Sequence, residues 1–321
     1  MDLKKTAIMI ILSVLLLIPV SACGSSGYTA TELIPQKAGL ILNIQISDIV
    51  GDNDIRDAYD ESEKDPDQPQ TAEEGIDKIF AETGIRVGEF SQAVVFADIT
   101  EMGDQSYMGF IVEGDYEETQ FIDNIEEKTD TNFSSSEYEG YTLYTNSEEH
   151  IAISFLDNKT LLAGTEEAVK DVIAIANGDR KPVGGELLDT YNNLGDAMIK
   201  MAVMLPEEAR EAMMSDDTGM GLMTVPLESF SDIDMIGFSL NKSNETLNAR
   251  IDAYFLSAES AEDAKDTING FISLFKGTLE DKKTKDLLGN MEFTVSGSKM
   301  TIEFDINLPD IEQLMETYGS S

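Results

Sequence analysis

Apolar residues recur along this chain at two spacings, and segments of the two kinds follow one another in a set order. Leu40, Leu42, Ile44 and Ile46 alternate with Ile41, Asn43 and Gln45, which predicts a strand with one clearly apolar face. Further strands are predicted at Ser91–Ile99, Tyr107–Glu113, Tyr141–Thr145, Ile151–Leu156 and Thr160–Ala163. The last two are joined through Asp157-Asn158-Lys159, which is turn chemistry. Helical spacing predicts a helix near Ile76–Glu82 that stops at Gly84. A second helix opens at Asp115 with Glu118 as its capping partner and buries Phe121, Ile122 and Ile125. A third is capped by Thr165, carries Ala168, Val172 and Ala176 on one face, and ends at Asn177-Gly178. Residues 179–185, with Pro182 and two glycines, read as a linker.

Beyond the linker the pattern starts again. The segment Asp196–Leu205 corresponds to Ala38–Ile46, Ser229–Ile233 to Glu89–Ala93, and Asn248–Leu256 to Tyr107–Glu113. Ser260-Ala-Glu-Asp263 caps a helix with Ala264, Ile268, Phe271, Ile272 and Phe275 on its buried side, the counterpart of the helix at Phe121. A hairpin of Met291–Val295 and Met300–Ile306 about Ser296-Gly297-Ser298 matches Tyr141–Leu156, and a final helix at Pro309–Tyr318 matches Thr165–Ala176. Strands joined by hairpins, with helices between them, predict an α+β protein of two repeated modules, each a mainly antiparallel sheet with helices packed on it. The modules are placed at residues 35–184 and 185–321. Two excursions stand at equivalent points. Gly51–Glu74 carries ten acids against Arg56 and Lys64 and reads as an acidic loop with a short helix near Ile55–Tyr59. Pro206–Glu228 is rich in methionine.

The N-terminus has a pattern of its own. Lys4 and Lys5 precede an apolar run, Ala7–Val20, of 14 residues, with Pro19 near its end. That is short of the ~20 residues a membrane-spanning helix needs. A charged start, a short apolar run and small residues after it make a signal peptide; an uncleaved anchor is the alternative. The run ends in Val20-Ser21-Ala22-Cys23, which resembles the lipobox of bacterial lipoproteins. The resemblance implies cleavage between Ala22 and Cys23 and a diacylglyceryl lipid on Cys23. Residues 1–22 are then the signal peptide, and residues 23–34 the lipidated cysteine and a tether that includes Gly24-Ser-Ser-Gly27. Cys23 is the only cysteine, so it has no partner for a disulfide within the chain, and lipidation gives it a role. One acyl chain holds a protein only marginally, at about 0.8 kcal/mol per buried methylene, so stable anchoring takes two or more. Past the lipobox the chain is similar to an uncharacterised family of bacterial extracytoplasmic proteins. Members open with a proline and a strand, as in Ile34-Pro35-Gln-Lys-Ala-Gly-Leu-Ile-Leu-Asn-Ile44, and carry a strand–turn–strand–helix segment like His150–Ala176. That likeness covers most of residues 33 to 319 and supplies no family activity to carry over.

Charge narrows the function classes. The net charge is −40, and Asp2, Lys4 and Lys5 leave with the signal, which takes the mature chain one unit further, to −41. Such a field repels phosphate backbones, and nucleic acid is excluded as a partner. It also repels anionic lipid, so the folded part is expected to stand off the membrane that Cys23 holds it to. With 41% hydrophobic residues the chain can build a core despite its charge.

The candidate chemistry thins out on inspection. His150, the only histidine, follows Glu148 and Glu149 at a strand end and reads as solvent-facing. A single histidine also excludes two-histidine zinc sites. Ser296-Gly-Ser-Lys299 has the Ser-x-x-Lys spacing of penicillin-binding enzymes, but it falls in a hairpin turn and its companion motifs are missing. Met198, Met201 and Met204 have a spacing used by copper-binding methionines, yet on a strand Met201 faces away from the other two, and core packing is the preferred reading. Asp52-Asn-Asp-Ile-Arg-Asp57 places Arg56 where a calcium loop needs a ligand and has no glycine at the sixth position. No cofactor and no metal are expected.

The sequence therefore points to a lipid-anchored extracytoplasmic envelope protein that is not an enzyme and acts as a binding or interaction module. Its partners are the membrane, through Cys23, and a protein or apolar ligand. Met213, Met214, Met220 and Met223 are the candidate partner contacts, because flexible methionine-rich surfaces adapt to apolar partners; a loop that covers the sheet is the alternative. Two other functions stay open: a carrier or chaperone for an apolar ligand such as a lipid, and a hydrolase relying on carboxylates.

Overall fold

The computed structural model describes residues 28–61, 68–100, 106–207, 210, 230–278 and 282–308. The chain divides into two compact units between Gly184 and Gly185. It is an α+β protein whose strands pair antiparallel throughout the pairings described within each unit.

The first unit opens with a 3-10 turn, Ala30–Leu33. Ala30, Leu33 and Ile34 are buried, so the folded part begins upstream of the expected Pro35 and takes in the end of the expected tether. There follow β1 (Leu40–Ile44), α1 (Ile46–Gly51), α2 (Asn53–Glu61), α3 (Ala72–Thr83), β2 (Phe90–Ala97) and β3 (Met108–Gly114). After them come α4 (Glu118–Thr129), β4 (Ser134–Tyr138), β5 (Tyr141–Asn146), β6 (Ile151–Phe155), β7 (Thr160–Gly164) and α5 (Glu166–Ala176). The strands lie in the order β1-β2-β3-β7-β6-β5-β4. Alternation buries Ile41, Phe96, Ile111 and Leu162 on one face, which α5 covers with Ala168, Val169, Val172 and Ile173. Pro35 bridges to Pro182 and Val183 donates to the Ile34 carbonyl at 2.7 Å, which ties the unit's two ends together.

The second unit consists of α6 (Glu186–Asn193), β8 (Ile199–Met204), β9 (Ile233–Ser243), β10 (Thr246–Phe255), α7 (Ala258–Thr278), α8 (Lys282–Gly289), β11 (Glu292–Ser296) and β12 (Lys299–Asn307). Its strand order is β8-β9-β10-β12-β11. α7 packs against the sheet through Ala261 and Ala264, whose small side chains let the helix lie close, around Ile233, Ala253, Phe255, Met300 and Ile302.

The two units repeat one topology, and the repeat holds residue by residue. β1, β2, β3, β7 and β6 stand in the order of β8, β9, β10, β12 and β11. The ladder between β2 and β3 is irregular between Phe90 and Gln92, and the ladder between β9 and β10 is irregular at the matching place, Tyr254/Phe255. Just outside the strands, Asp115 donates to the Glu89 carbonyl at 3.0 Å and Gly114 to that of Lys159 at 3.0 Å; Leu256 and Phe255 do the same to Asp232, at 2.9 Å, and Ser298, at 2.8 Å. These fixed points correct two expected matches. Phe90 corresponds to Ile233, so the Phe-Ser pairs at 90 and 230 are not equivalent. The β11–β12 hairpin corresponds to β6–β7, not to Tyr141–Leu156, and β4–β5 is an addition to the first unit. The expected helix at Pro309–Tyr318 lies outside the described residues.

Local differences have local causes. The first strand stops at Ile44 rather than Ile46, because Ile46, Ile49 and Val50 turn inward on α1. The described part of the acidic segment is largely helical, residues 62–67 lying outside the described residues, and several of its acids serve as caps. Asp52 accepts from the Ile55 N–H at 3.0 Å, Asp60 from that of Ala72 at 2.7 Å, and Glu74 from that of Gln70 at 2.8 Å. Asp115 does not cap α4: its carboxylate pairs with Lys159 at 3.2 Å, and the N-cap Glu117 makes no side-chain cap bond. α7 is capped by Ser257, whose hydroxyl accepts from Ser260 N–H at 3.0 Å, and not by Ser260. The caps expected at Thr165 and Gly84 are present.

Candidate functional site

α3 and α4 meet at a glycine. Thr71 starts α3 by accepting from the Glu74 N–H at 3.1 Å, and Gly84 ends it in the left-handed region, φ 73°, its N–H bonded to Phe80 O at 2.9 Å. A Cβ on Gly84 would lie 2.7 Å from the backbone of Asn124 on α4. The helices therefore touch there, and beside the contact a groove of about 140 Å³ opens. Its lining includes Arg86, Glu89, Tyr116, Gln120, Phe121 and Asn124.

The floor of the groove is aromatic. Tyr116 packs edge-on against Phe90 and Phe155, at 6.0 and 5.7 Å between centroids, and is tilted against Phe121 at 6.0 Å. Its hydroxyl accepts from the Leu161 N–H at 2.6 Å and lies 2.8 Å from the Lys159 carbonyl, with the Val112 carbonyl closer still. Burial drives the pKa of this phenol up, and it stays protonated. The rim is charged. The Arg86 guanidinium lies 4.8 Å from the Phe80 ring centre and its Nε is 3.9 Å from Glu89. Burial raises the Glu89 pKa, Arg86 works against that, and Asp115 adds to it. One cation (Arg86), two carboxylates (Glu89 and Glu117), two amides (Gln120 and Asn124) and an aromatic floor can hold a polar side chain or a stretch of peptide. The volume falls below the ~300–1,000 Å³ usual for small-molecule sites.

A second polar cluster lies in the unit 2 sheet. Asp252 is 0% exposed and accepts from Arg250 Nε at 3.1 Å, Arg250 Nη2 at 3.0 Å, Thr301 Oγ1 at 2.7 Å and Lys299 Nζ at 3.4 Å. Arg250 also reaches Glu303 at 3.3 Å. Burial by itself would raise the Asp252 pKa; the bonds from Arg250 and Thr301 and the charge of Lys299 outweigh it and hold the carboxyl below its ordinary range. With both cations engaged by carboxylates, this cluster is a structural tie.

The residues singled out from the sequence are scattered. His150 sits in an exposed turn at φ 57°. Ser296–Lys299 forms the β11–β12 hairpin, with Gly297 at φ 62°, and Lys299 serves Asp252. Met201 stands opposite Phe238 and Met204 opposite Met235, so the two face opposite ways as expected; Met198 is buried and Met204 is 40% exposed. Ala22, Cys23, Met213, Met214, Met220 and Met223 lie outside the described residues. Among the described residues no group of three or more His, Cys, Asp or Glu could hold a metal, and no helix is long and apolar enough to cross a membrane. The groove does not show in the sequence, where its one local signal is Arg86 two residues after the helix-ending Gly84.

No protein-family model and no curated protein matches this chain. Among solved structures, crystal form III of TP0453 aligns with a TM-score of 0.50 at 11% identity, over 91% of this chain and 100% of that one. Crystal form IV of TP0453 gives 0.49 at 12% identity, over 89% and 95%. The likeness to form III is one of fold alone.

Proposed function

We propose that this chain is a lipid-anchored extracytoplasmic binding protein, tethered through Cys23, that recognises a protein partner and is not an enzyme. The observation that carries the binding half is the groove beside Gly84. It is small, open, aromatic below and charged at the rim, and so suits a side chain or peptide segment better than a lipid. Burial shifts the Glu89 pKa upward, the direction a general acid requires, but Arg86 at 3.9 Å opposes that shift. The anchor half rests on the lipobox. In this reading Met213, Met214, Met220 and Met223 supply an adaptable second contact to the same partner.

The test has two arms. Radioactive fatty acid should label the full chain, and Cys23→Ala should abolish the label; incorporation that survives the substitution sinks the anchor. A photo-crosslinking residue at position 120, in native membranes, should capture one discrete partner, and Arg86→Glu should lose it. Capture equal to that from position 269 on α7 would show the groove is not the contact. Replacing the four methionines by Ser should weaken capture with little change in melting temperature. A large fall in melting temperature with capture intact assigns them to the core.

Carriage of an apolar ligand has one observation in its favour. On α7, Leu274 is 64% exposed while Phe271 and Phe275 are only half-buried, so the helix's apolar stripe is incompletely covered. Saturable binding of a fluorescent fatty acid, lost in Leu274→Glu, would favour this second reading.

A further inference from the structure

The β4–β5 hairpin is the part of the first unit that the second does not repeat. It adds one fully buried side chain, Leu143, and leaves Ser134, Ser135, Ser136 and Glu137 exposed. It therefore contributes little to the core, and its main product is a new sheet edge.

That edge is open. Among the described residues β4 pairs with β5 alone, from Ser134↔Thr145 to Tyr138↔Tyr141, with no register shift. Tyr138 and Tyr141 flank a two-residue turn of Glu139 and Gly140, at φ 50° and 90°, and so form a hydrogen-bonded pair. Counting back, Ser136 and Ser134 also turn their N–H and C=O toward β5. Ser135 and Glu137 turn theirs outward. Natural edges discourage pairing with charged side chains, above all lysine, with proline, with a bulge or by being short. Ser134-Ser135-Ser136-Glu137-Tyr138 has no lysine, proline or bulge, and its one charge is Glu137, which opposes an acidic strand and favours a basic one. The turn end is held in place: Asn177 Nδ2 donates to the Glu139 carbonyl at 3.2 Å, and Lys170 Nζ sits 5.1 Å from the Tyr138 ring centre.

We propose that β4 is a docking edge for an extended, basic segment of another protein, which adds as a further strand against the backbone of Ser135 and Glu137. Main-chain bonds at an edge supply affinity, and alternate side chains supply specificity. The charge selects the partner. A chain at −40 opposes a second copy of itself, and the edge carries Glu137, with Glu139 at its turn. A strand with Lys or Arg at alternate positions places its cations beside those carboxylates. This edge is separate from the groove beside Gly84, and each can fail without the other.

The test uses the full lipidated chain in detergent and a fluorescent peptide of about ten residues alternating Lys and Thr. Binding should fall by about tenfold or more in Ser135→Pro, which removes an outward N–H and no ladder bond, and should persist in Ser135→Ala. Methylating alternate backbone amides of the peptide should abolish binding for one set and spare it for the other, a result that does not depend on how any variant folds. Glu137→Lys should weaken binding and flatten its salt dependence. No binding to the unaltered chain at about 1 mM, or equal loss with both methylated sets, overturns the proposal. Self-association that Ser135→Pro removes, read by sedimentation, would make the occupant a second copy and overturn the choice of partner.

Discussion

Asp252 occupies in the second repeat the place that Ile111 occupies in the first. Ile111 stands between Val94 and Leu162; Asp252 stands between Gly237 and Thr301; both are 0% exposed. One backbone position thus tolerates an aliphatic side chain or a carboxylate, provided the neighbours change with it. Around Asp252 they have changed, to Arg250, Lys299 and Thr301, and Gly237 leaves room for Thr190 of α6 and for Leu194, which caps its end; a Cβ on Gly237 would meet both at 3.1 Å.

Removing Asp252 leaves one buried donor without an acceptor. Asp252→Ala should destabilise the second unit by about 1–3 kcal/mol, since the buried Thr301 hydroxyl loses its acceptor while Arg250, about a third exposed, keeps Glu303. Replacing the cluster as a whole, with Asp252→Ile, Thr301→Leu and Arg250→Met, copies the aliphatic solution of the first repeat at the 252 and 301 positions and should recover most of that loss. Urea unfolding of the full chain compares the two. A triple variant no better than Asp252→Ala would show that the apolar solution does not transfer.

The same carboxylate sets a pH dependence. Its folded pKa is depressed, so its contribution is complete above the unfolded value of about 3.9 and is lost as pH falls below that toward the folded value. Asp252→Asn should remove this component. The stability difference between the unaltered chain and Asp252→Asn should be constant at neutral pH and shrink below about pH 4. A difference that stays constant into the acid range would mean the carboxyl is not held in its charged form.

Two hydroxyls of the first unit should respond in opposite directions. Tyr116→Phe leaves the Leu161 N–H without its acceptor and should cost about 1–3 kcal/mol. Thr160 Oγ1 is buried with no hydrogen-bond partner among the described residues, so Thr160→Val should be neutral or stabilise by about 1 kcal/mol. Thermal melting reads both. A destabilising Thr160→Val would point to an ordered water on that hydroxyl.

The sequence carried the repeat wherever apolar and polar residues alternate. Leu40 to Ile44 and Asn248 to Phe255 show that alternation without coordinates, but it does not tell which faces are covered: Ile41 and Asp252, each on the face opposite the one the pattern marks as apolar, are both 0% exposed. β4 was missed for the opposite reason: Ser134-Ser135-Ser136 is wet on both faces and is held by backbone bonds to β5, which leave no side-chain pattern. α2 is only partly legible because acids at this density look like free charge, whereas Asp52 and Asp60 satisfy helix N-termini. The groove was invisible because Gly84 and Asn124 are forty residues apart and only their contact creates it.

That contact can be isolated by comparing two helix-ending glycines. Gly84 and Gly178 both adopt left-handed backbone, φ 73° and 81°. A Cβ on Gly178 meets nothing within 4 Å, while one on Gly84 would lie 2.7 Å from three atoms of Asn124. Gly178→Ala should therefore cost only the backbone strain, about 1 kcal/mol. Gly84→Ala should cost that much and roughly 1–2 kcal/mol more, because α4 must move to admit the methyl group. Gln120, Phe121 and Asn124 ride on α4, so the groove should deform and crosslinking from position 120 should fall, while Gly178→Ala leaves it unchanged. Equal melting temperatures for the two variants, with capture intact in both, would show that the approach of Gly84 to Asn124 is not what shapes the groove.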